Sequence, residues 1–543
     1  MTPILRIGGS MKSNKFILLV GVVAAAALLF SQGCTKKSSG DYNLDIKETI
    51  RTNLSAEPPS LDWHKATDTT SSEVIGNVMD GLTQYDLKDP NLKLLPALAE
   101  KWTSSKDQKT WTFTLRKDVK WTDGQPFTAQ NMIDAWERLL NKNTGAQYAY
   151  FLFNVKNAKK YNMGEITDFS QVGVKANEQG DLVVELETAQ SYFPMLLTHT
   201  STYPIRKDVV EKHNELWTRP ENIQTLGPYK LKTWENDKAI VLERNEEFYA
   251  EKAKTKYVLM RIVKEVSTAL KMFEKGQIDS LNEVPSLEMS RLKGKPEFRS
   301  TPSLGIYYFG FNIKKEPFDD VNVRKAVNMA IDREEIVKLL NGAQKPISGW
   351  LPVGMFGYDA NIGLKFNKEE AAKLLDKAGF ADRSKFPKIT IGFNTNENHQ
   401  RVAENIQAQL KRNLGIDVEL QNWEWKSYQG VLQADAPQMY RMAWIADFPD
   451  PDNFFGLITS DSENNHTGWG NPKFDQLVKK GVSVGDLVER KKIYDEAHRI
   501  LTEQDVPVIP IYSYANHQMV SDRLQNFPSN AMQKFDYKDV VIK

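Results

Sequence analysis

Several segments alternate hydrophobic and polar residues, the pattern of a strand with one buried face. In residues 110–115 (TWTFTL), Trp, Phe and Leu alternate with Thr, so one face of the predicted strand is apolar. Thr128 is a residue type that caps helices, and it predicts a helix that continues to about Leu140. Strand and helix patterns therefore occur close together in the first third of the chain.

A strand, a helix and another strand are predicted in the second half of the chain. Residues 388–393 (KITIGF) form an apolar run, and residues 398–414 carry apolar side chains along one helical face. Gly415 is expected to end this helix, and residues 416–420 alternate again. This order is typical of a βαβ unit, whose strands are parallel. The predicted fold class is α/β with mixed sheets.

The amino-terminal segment has the pattern of an export signal. Lys12 and Lys15 precede an apolar run at residues 16–30, which is shorter than the ~20 residues that a helix needs to span a bilayer. This arrangement predicts a secretory signal peptide in residues 1–33. Residues 34–44 then form a polar tether that keeps a folded body clear of a membrane.

Cys34 is the only cysteine of the chain and follows a glycine. A lipoprotein signal places at this point the thiol that receives a lipid, so we expect lipidation of Cys34. The alternative is an incidental cysteine beside an ordinary signal cleavage site. A single thiol also excludes an internal disulfide bond.

Length and charge narrow the class of protein. The 543 residues exceed the ~250 to 300 that one hydrophobic core usually supports, which predicts two or more domains. With 71 basic and 70 acidic residues the net charge is +1, which disfavours a nucleic-acid partner. The 12 Trp, 19 Tyr and 25 Phe indicate large interiors or ligand-facing rings.

Catalytic motifs are missing from the sequence. It contains no H-E-x-x-H, G-x-S-x-G, P-loop or G-x-G-x-x-G pattern, and its 7 histidines lack metal-ligand spacing. Asp450 and Asp452 are a pair that glycoside hydrolysis can use, but the sequence favours turn residues around Pro449 and Pro451. We therefore predict no enzyme, no metal site and no cofactor.

One segment indicates recognition. Asp447 follows the strand-like run 442–446, so its carboxylate would enter a partly buried strand end, where a charge is costly unless a cation meets it. That cation is either a ligand ammonium or an internal partner such as Arg441. From the residues alone, the internal salt bridge is the favoured alternative.

The chain resembles the peptide-binding proteins of ABC importers, in the oligopeptide and dipeptide branch of the family 5 extracellular solute-binding proteins. The resemblance covers nearly the whole chain after residue 45. It is carried by residues 60–82, 110–131 (TWTFTLRKDVKWTDGQPFTAQN), 226–234 (LGPYKLKTW), 309–333 and 444–455 (WIADFPDPDNFF).

The resemblance implies roles for individual residues. Asp447 would accept the α-ammonium of a peptide, and Ala443 and Trp444 would pair with its backbone. Thr67 and Thr69 would pair with it from the opposite wall. Other cavity positions implied by the resemblance are Tyr148, His399, Trp425, Arg441 and, as a weaker match, Tyr308.

The resemblance also implies the architecture, a two-lobed clamp of the class II periplasmic-binding-protein type with an extra domain. Domain I would combine residues 45–79, 204–298 and 515–543. Domain II would span residues 80–203, and domain III residues 299–514. Closure of the lobes around a ligand would create the surface that a transporter recognises.

The implied function is that of a binding protein. It would be a monomeric, lipid-anchored protein in the periplasm or on the surface of a bacterium. It would capture short peptides and deliver them to the membrane permease subunits of an ABC importer. The alternatives are a protein of the same fold for a nickel complex, haem, an opine or a small glycan, and an enzyme or receptor that reuses the scaffold.

Overall fold

The computed structural model describes residues 41–89 and 92–543. Within it, Ile46–Lys543 form one compact unit, and the sections below concern this unit. The predicted signal peptide and Cys34 lie outside the described residues. In the part of the chain that is described, no helix is long and apolar enough to span a membrane.

Strands and helices alternate along the described chain. The strands are β1 (Thr49–Leu54), β2 (Thr83–Tyr85), β3 (Leu94–Pro96), β4 (Ala99–Ser104), β5 (Thr110–Leu115), β6 (Val174–Ala176), β7 (Leu182–Glu185), β8 (Tyr229–Glu235), β9 (Ala239–Arg244), β10 (Tyr257–Ile262), β11 (Ser280–Leu281), β12 (Phe298–Phe311), β13 (Lys345–Pro346), β14 (Ile389–Asn394), β15 (Val418–Trp423), β16 (Met439–Ile445), β17 (Val508–Val520), β18 (Leu524–Gln525) and β19 (Val541–Ile542). The helices are α1 (Thr69–Val78), α2 (Ala129–Leu140), α3 (Ala158–Met163), α4 (Phe193–Leu196), α5 (Lys207–His213), α6 (Val266–Glu274), α7 (Met289–Leu292), α8 (Val321–Met329), α9 (Arg333–Leu340), α10 (Lys368–Leu375), α11 (Glu397–Leu414), α12 (Trp425–Asp435), α13 (Asp452–Phe455), α14 (Pro472–Ser483) and α15 (Leu487–Arg499).

A large mixed sheet forms the frame of the molecule. Its strand order is β15-β14-β16-β12-β17-β11-β1-β10-β9-β8, and β13 pairs with β17. The long strands β12 and β17 are antiparallel and lie at its centre. A separate sheet of order β4-β5-β7-β6 lies entirely within the first 200 residues.

The predicted βαβ unit is confirmed. β14 and β15 are parallel, with Ile391 opposite Leu420, and α11 joins them. Gly415 ends α11 in the left-handed conformation at φ 73°, which glycine adopts without a steric penalty. β15 begins at Val418, two residues later than the alternation predicts, because the chain first leaves this turn.

The predicted strand and helix in the first third are also confirmed. Residues 110–115 form β5, in which Trp111, Phe113 and Leu115 are buried and alternate with half-buried Thr. α2 begins after Thr128, whose backbone N–H donates to Asn131 Oδ1 over 3.0 Å in a capping box. The local patterns therefore identify these elements correctly.

Two main hydrophobic cores fill the unit. One combines side chains from β1, β5 and β8–β10 with those of α1 and α2. The other is formed by β12, β14 and β17 with helices α8 to α11 packed on them. Two cores connected by the long central strands are the basis of a two-lobed α/β fold.

Candidate ligand-binding site

A cavity of about 510 Å³ contains most of the predicted site residues on its wall. Nine of the ten line it: Thr67, Thr69, Tyr148, His399, Trp425, Arg441, Ala443, Trp444 and Asp447. Segments from the start of the chain, from β14 to β16 and from the end of the chain meet around this cavity. The structure therefore brings together residues that are hundreds of positions apart.

Tyr308 is the predicted site residue that does not line the cavity. It lies on β12 opposite Met442, one strand behind the cavity wall, and it is 2 % exposed. Its ring packs edge-on against Trp350, with 4.8 Å between the ring centroids. In this structure Tyr308 supports the wall and does not face a ligand.

The edge of β16 borders the cavity. β12 pairs with β16 along its whole length, from Phe311 opposite Met439 to Gly305 opposite Ile445. On the other side, β14 pairs with β16 only at Met439 and Tyr440. Residues 441–445 therefore have no strand beside their outer edge within the described chain, and side chains from both faces of this stretch line the cavity.

Asp447 comes two residues after β16 and is held by Asn453. Asn453 Nδ2 donates to Asp447 Oδ2 over 3.0 Å, and the Asp447 backbone N–H donates to Asn453 Oδ1 over 3.0 Å. The Trp444 indole N–H donates to the same Oδ1 over 2.9 Å. Asn453 is 2 % exposed, so it fixes the carboxylate and the tryptophan relative to each other.

Two further groups contact the Asp447 carboxylate. Tyr148 OH donates to Oδ2 over 3.3 Å, and His199 Nε2 lies 3.3 Å from Oδ1. The Ser201 backbone N–H donates to His199 Nδ1, so we infer that the hydrogen of the neutral ring is on Nε2 and points to Asp447. Hydrogen bonds from Tyr148 and His199 orient the carboxylate towards the cavity.

Arg441 is not the partner of Asp447, so this arginine is wrong as the example of an internal salt bridge, and the internal basic group next to the carboxylate is His199. Its guanidinium donates to Asn394 Oδ1 over 3.1 Å and to Tyr514 OH over 2.9 Å, and it lies 4.6 Å from the Tyr307 ring centroid. Six residues of extended chain separate the two side chains by roughly 20 Å. The strand geometry therefore keeps this arginine away from the carboxylate.

The opposite wall is formed by the segment that precedes α1. Asp68 caps α1 by accepting from the Ser71 backbone N–H over 3.0 Å, which leaves Asp68 itself extended. Thr67 Oγ1 donates to Gln429 Oε1 of α12 over 3.3 Å. This hydrogen bond connects the two walls of the cavity directly.

Glu283 is another acidic residue of the cavity wall. Glu283 accepts from the side chains of Asn396 over 3.1 Å and Asn398 over 3.0 Å, and its burial raises its pKa. His399 lies nearby, and burial together with the charge of Arg441 holds its pKa well below the usual value. His399 is therefore a neutral side chain at physiological pH.

Asp450 and Asp452 are structural residues. Asp450 accepts two hydrogen bonds from the Arg490 guanidinium over 2.8 and 2.7 Å. Asp452 accepts from Tyr192 OH over 2.8 Å, and burial raises its pKa to about 7. Both aspartates lie at the turn that the sequence predicts. The buried ion pair between Asp450 and Arg490 was not predicted, because Arg490 lies 40 residues further along the chain.

Residues that the sequence did not single out include Asn453, which holds Asp447, and His199, Glu283 and Lys534 on the cavity wall. Asn453 lies within the segment that carries the resemblance, so its proximity to Asp447 was a usable signal. The other three come from distant parts of the chain without a motif around them. In the described residues, no group of three or more His, Cys, Asp or Glu is arranged to hold a metal ion.

The fold and the cavity define a two-lobed solute-binding protein. The chain belongs to the bacterial extracellular solute-binding proteins, family 5, whose middle region matches residues 93–466. This is a family of binding proteins. It agrees with the resemblance found in the sequence.

Individual relatives match over nearly their whole length. The oligopeptide-binding protein OppA of Bacillus subtilis is 33% identical over 525 residues, which cover 94% of this chain and 95% of that protein. The crystal structure of Haemophilus influenzae OppA in complex with RPPGFSPFR is 32% identical and superposes with a TM-score of 0.87. That match covers 92% of this chain and 99% of the other.

The chain superposes less well on an open form. The unliganded open form of the murein tripeptide-binding protein MppA is 30% identical, covers 92% of this chain and 98% of its own, and gives a TM-score of 0.62. The peptide-bound OppA gives the higher value despite a similar identity. The conformation described here is therefore closer to the peptide-bound form of one relative than to the open form of another.

Glu73 on α1 makes the stability of the folded protein depend on pH. Tyr537 donates a hydrogen bond to its carboxylate, yet burial raises the pKa of Glu73 to about 7, from an ordinary 4.5. The folded state therefore binds this proton more tightly than the unfolded state between these two pH values. Ionisation of Glu73 therefore lowers the free energy of unfolding, by up to about 3 kcal/mol once the pH is above 7. Below pH 4.5 this loss of stability is absent.

We expect Glu73→Gln to stabilise the protein at pH 8 by up to about 3 kcal/mol, with a smaller gain at pH 5. Denaturant unfolding of parent and variant at both pH values measures this difference. Glu211→Gln, on an exposed position, is the control. A gain from Glu73→Gln that is the same at pH 5 and pH 8 would contradict the raised pKa.

Proposed function

We propose that this protein captures short peptides outside the cytoplasm and delivers them to the permease subunits of an ABC importer, without catalysing a reaction. The observation that carries the proposal is the Asp447 carboxylate. It faces the cavity, its side chain is 14% exposed, and it is contacted by Tyr148, His199 and Asn453. Among the described residues no Arg or Lys forms a salt bridge with it.

A peptide ammonium fits this carboxylate. A partly buried negative charge is stabilised when a cation meets it, and the α-ammonium is the cation that every unblocked peptide carries. The rings of Tyr148 and Trp444 lie beside the carboxylate, with centroids 6.1 Å apart. They exclude water from the pair and thereby strengthen its attraction.

The edge of β16 fits a peptide backbone. Residues 442–445 offer to the cavity a strand edge that no described strand occupies, whereas the Arg441 carbonyl already accepts from Tyr428 OH over 2.8 Å. An extended peptide can add to such an edge through main-chain hydrogen bonds. Ala443 and Trp444 lie at this edge, and Thr67 and Thr69 lie on the opposite wall. Recognition of ammonium and backbone is independent of side-chain identity, so we propose broad specificity, with water filling the remaining space.

The other cavity residues have proposed supporting roles. Tyr148 and Trp425 contribute aromatic surface, while His399 and Arg441 contribute polar groups at the far end of the cavity. Tyr308 stays a prediction that this conformation does not support. The alternative ligands of the fold, a nickel complex, haem, an opine or a small glycan, lack a general need for the Asp447 carboxylate, and the peptide-binding relatives favour the peptide.

We propose the three-domain division that the sequence suggested. The separate four-stranded sheet falls within residues 80–203, and the core around β12, β14 and helices α8 to α11 falls within residues 299–514. Residues 45–79, 204–298 and 515–543 then form the remaining domain. A hinge between the lobes would allow a ligand to enter and the lobes to close around it.

A lipid on Cys34 would hold the protein at a bacterial membrane, in the periplasm or on the cell surface, as a monomer. We expect Cys34→Ser to abolish incorporation of a labelled fatty acid and to move the exported protein into the soluble fraction. Fractionation and metabolic labelling of parent and variant measure both effects. Labelling that persists in Cys34→Ser would rule out this anchor.

Replacement of the carboxylate tests the central proposal. We expect Asp447→Asn to weaken binding of tri-alanine by about 2 to 5 kcal/mol, the scale for removing one partner of a buried charge pair. Calorimetry with tri-alanine and N-acetyl-tri-alanine on parent and variant completes a double-mutant cycle. Acetylation should weaken binding to the parent strongly and to Asp447→Asn little.

Asp435→Asn is the matched control, since Asp435 is an acid on α12 whose side chain is 75% exposed. It should bind both peptides as the parent does. Equal affinity of the parent for the free and the acetylated peptide would show that Asp447 does not anchor an ammonium.

A further inference from the structure

A lysine from the carboxyl-terminal segment lines the same cavity. Lys534 follows β17 and β18, and its Nζ lies 5.4 Å from the centroid of the Tyr85 ring, a cation–π contact. No described carboxylate lies within salt-bridge distance of this nitrogen. A cationic side chain therefore faces the cavity without an anionic partner in contact.

The acids at this end of the cavity have other partners. Asp80 accepts from Tyr249 OH over 2.6 Å, and Asp536 accepts from the Lys538 backbone N–H over 2.8 Å. The charged group that acts on Lys534 is Asp447, whose negative charge counteracts the lowering of the lysine pKa by burial, to about 8. Lys534 and Asp447 therefore belong to the same electrostatic environment.

Lys534 and Asp447 line the same cavity, and no carboxylate of the described residues forms a salt bridge with the lysine. A partly buried charge is stabilised when an opposite charge meets it. A ligand that binds Asp447 through its ammonium and also carries an anion near that ammonium would supply such a charge to Lys534.

We propose that Lys534 is a specificity-determining residue that binds a carboxylate near the amino end of the ligand, so that the protein prefers peptides with Asp or Glu at position one or two. The inference rests on the proposed binding of an ammonium at Asp447. In an amino-terminal Glu, a few single bonds separate the ammonium from the side-chain carboxylate. The two charges can therefore reach neighbouring opposite charges on the cavity wall.

The test compares matched peptides on matched proteins by calorimetry at pH 7. We expect the parent to bind Glu-Ala-Ala at least tenfold more tightly than Gln-Ala-Ala. Lys534→Met should reduce this ratio to about one, mainly through weaker binding of Glu-Ala-Ala. Lys534→Arg keeps the cation and should keep a preference for the acidic peptide.

A second pair controls for position. Ala-Ala-Glu and Ala-Ala-Gln place the acid far from the ammonium, so their affinities for the parent should be similar. Equal affinity of the parent for Glu-Ala-Ala and Gln-Ala-Ala would overturn the proposal, and so would a preference that survives in Lys534→Met. Because the parent comparison needs no variant, the proposal stays testable even if Lys534→Met fails to fold.

The outcomes separate this inference from the proposed function. If the parent binds Glu-Ala-Ala and Gln-Ala-Ala equally and discriminates against their acetylated forms, peptide binding stands and the role of Lys534 is wrong. If the parent binds none of these peptides, the proposed function itself fails.

Discussion

The binding site depends on one partly buried carboxylate, that of Asp447, with which no Arg or Lys of the described residues forms a salt bridge. Asp447 is held by Asn453 and contacted by Tyr148 and His199. Removing such a charge from water costs free energy that hydrogen bonds from neutral groups offset only in part. The remaining cost is reduced when a ligand brings a positive charge into contact with the carboxylate.

The central sheet explains how this charge is placed. β16 is inside the sheet at Met439 and Tyr440, where β14 and β12 flank it, and becomes an edge towards Ile445. The same strand therefore supplies a rigid anchor, an open edge for backbone pairing, and an end from which Asp447 reaches the cavity. The α1 and α12 segments close the cavity from the other side through Thr67 and Gln429. The superposition on a peptide-bound relative agrees with this closed arrangement.

Local patterns predicted the elements that local interactions determine. The strand of residues 110–115, the helix after Thr128 and the parallel strands on either side of α11 all follow from periodicity and capping. The resemblance added Asp447 and the cavity positions, nine of which the structure brings to one cavity. The expected salt bridge between Arg441 and Asp447 does not form, because residues that are close in sequence along an extended strand are not close in space.

Long-range contacts explain what the sequence did not predict. Tyr148 and Asp447 are 299 residues apart, and nothing in the local sequence of His199 or Lys534 indicates that they line the same cavity as Asp447. Tyr308, the weaker match of the resemblance, lies on β12 and is not among the residues that line the cavity. The fold class and the ends of strands can thus be predicted from one sequence. The arrangement of charges around a cavity can be determined only from the folded structure.

The most direct test is a crystal structure of the protein with a bound peptide. The account predicts the peptide's amino-terminal nitrogen within about 3 Å of an Asp447 carboxylate oxygen, with the peptide backbone paired to the edge of β16. A bound solute remote from Asp447, with that carboxylate paired to an arginine of the protein itself, would contradict the account.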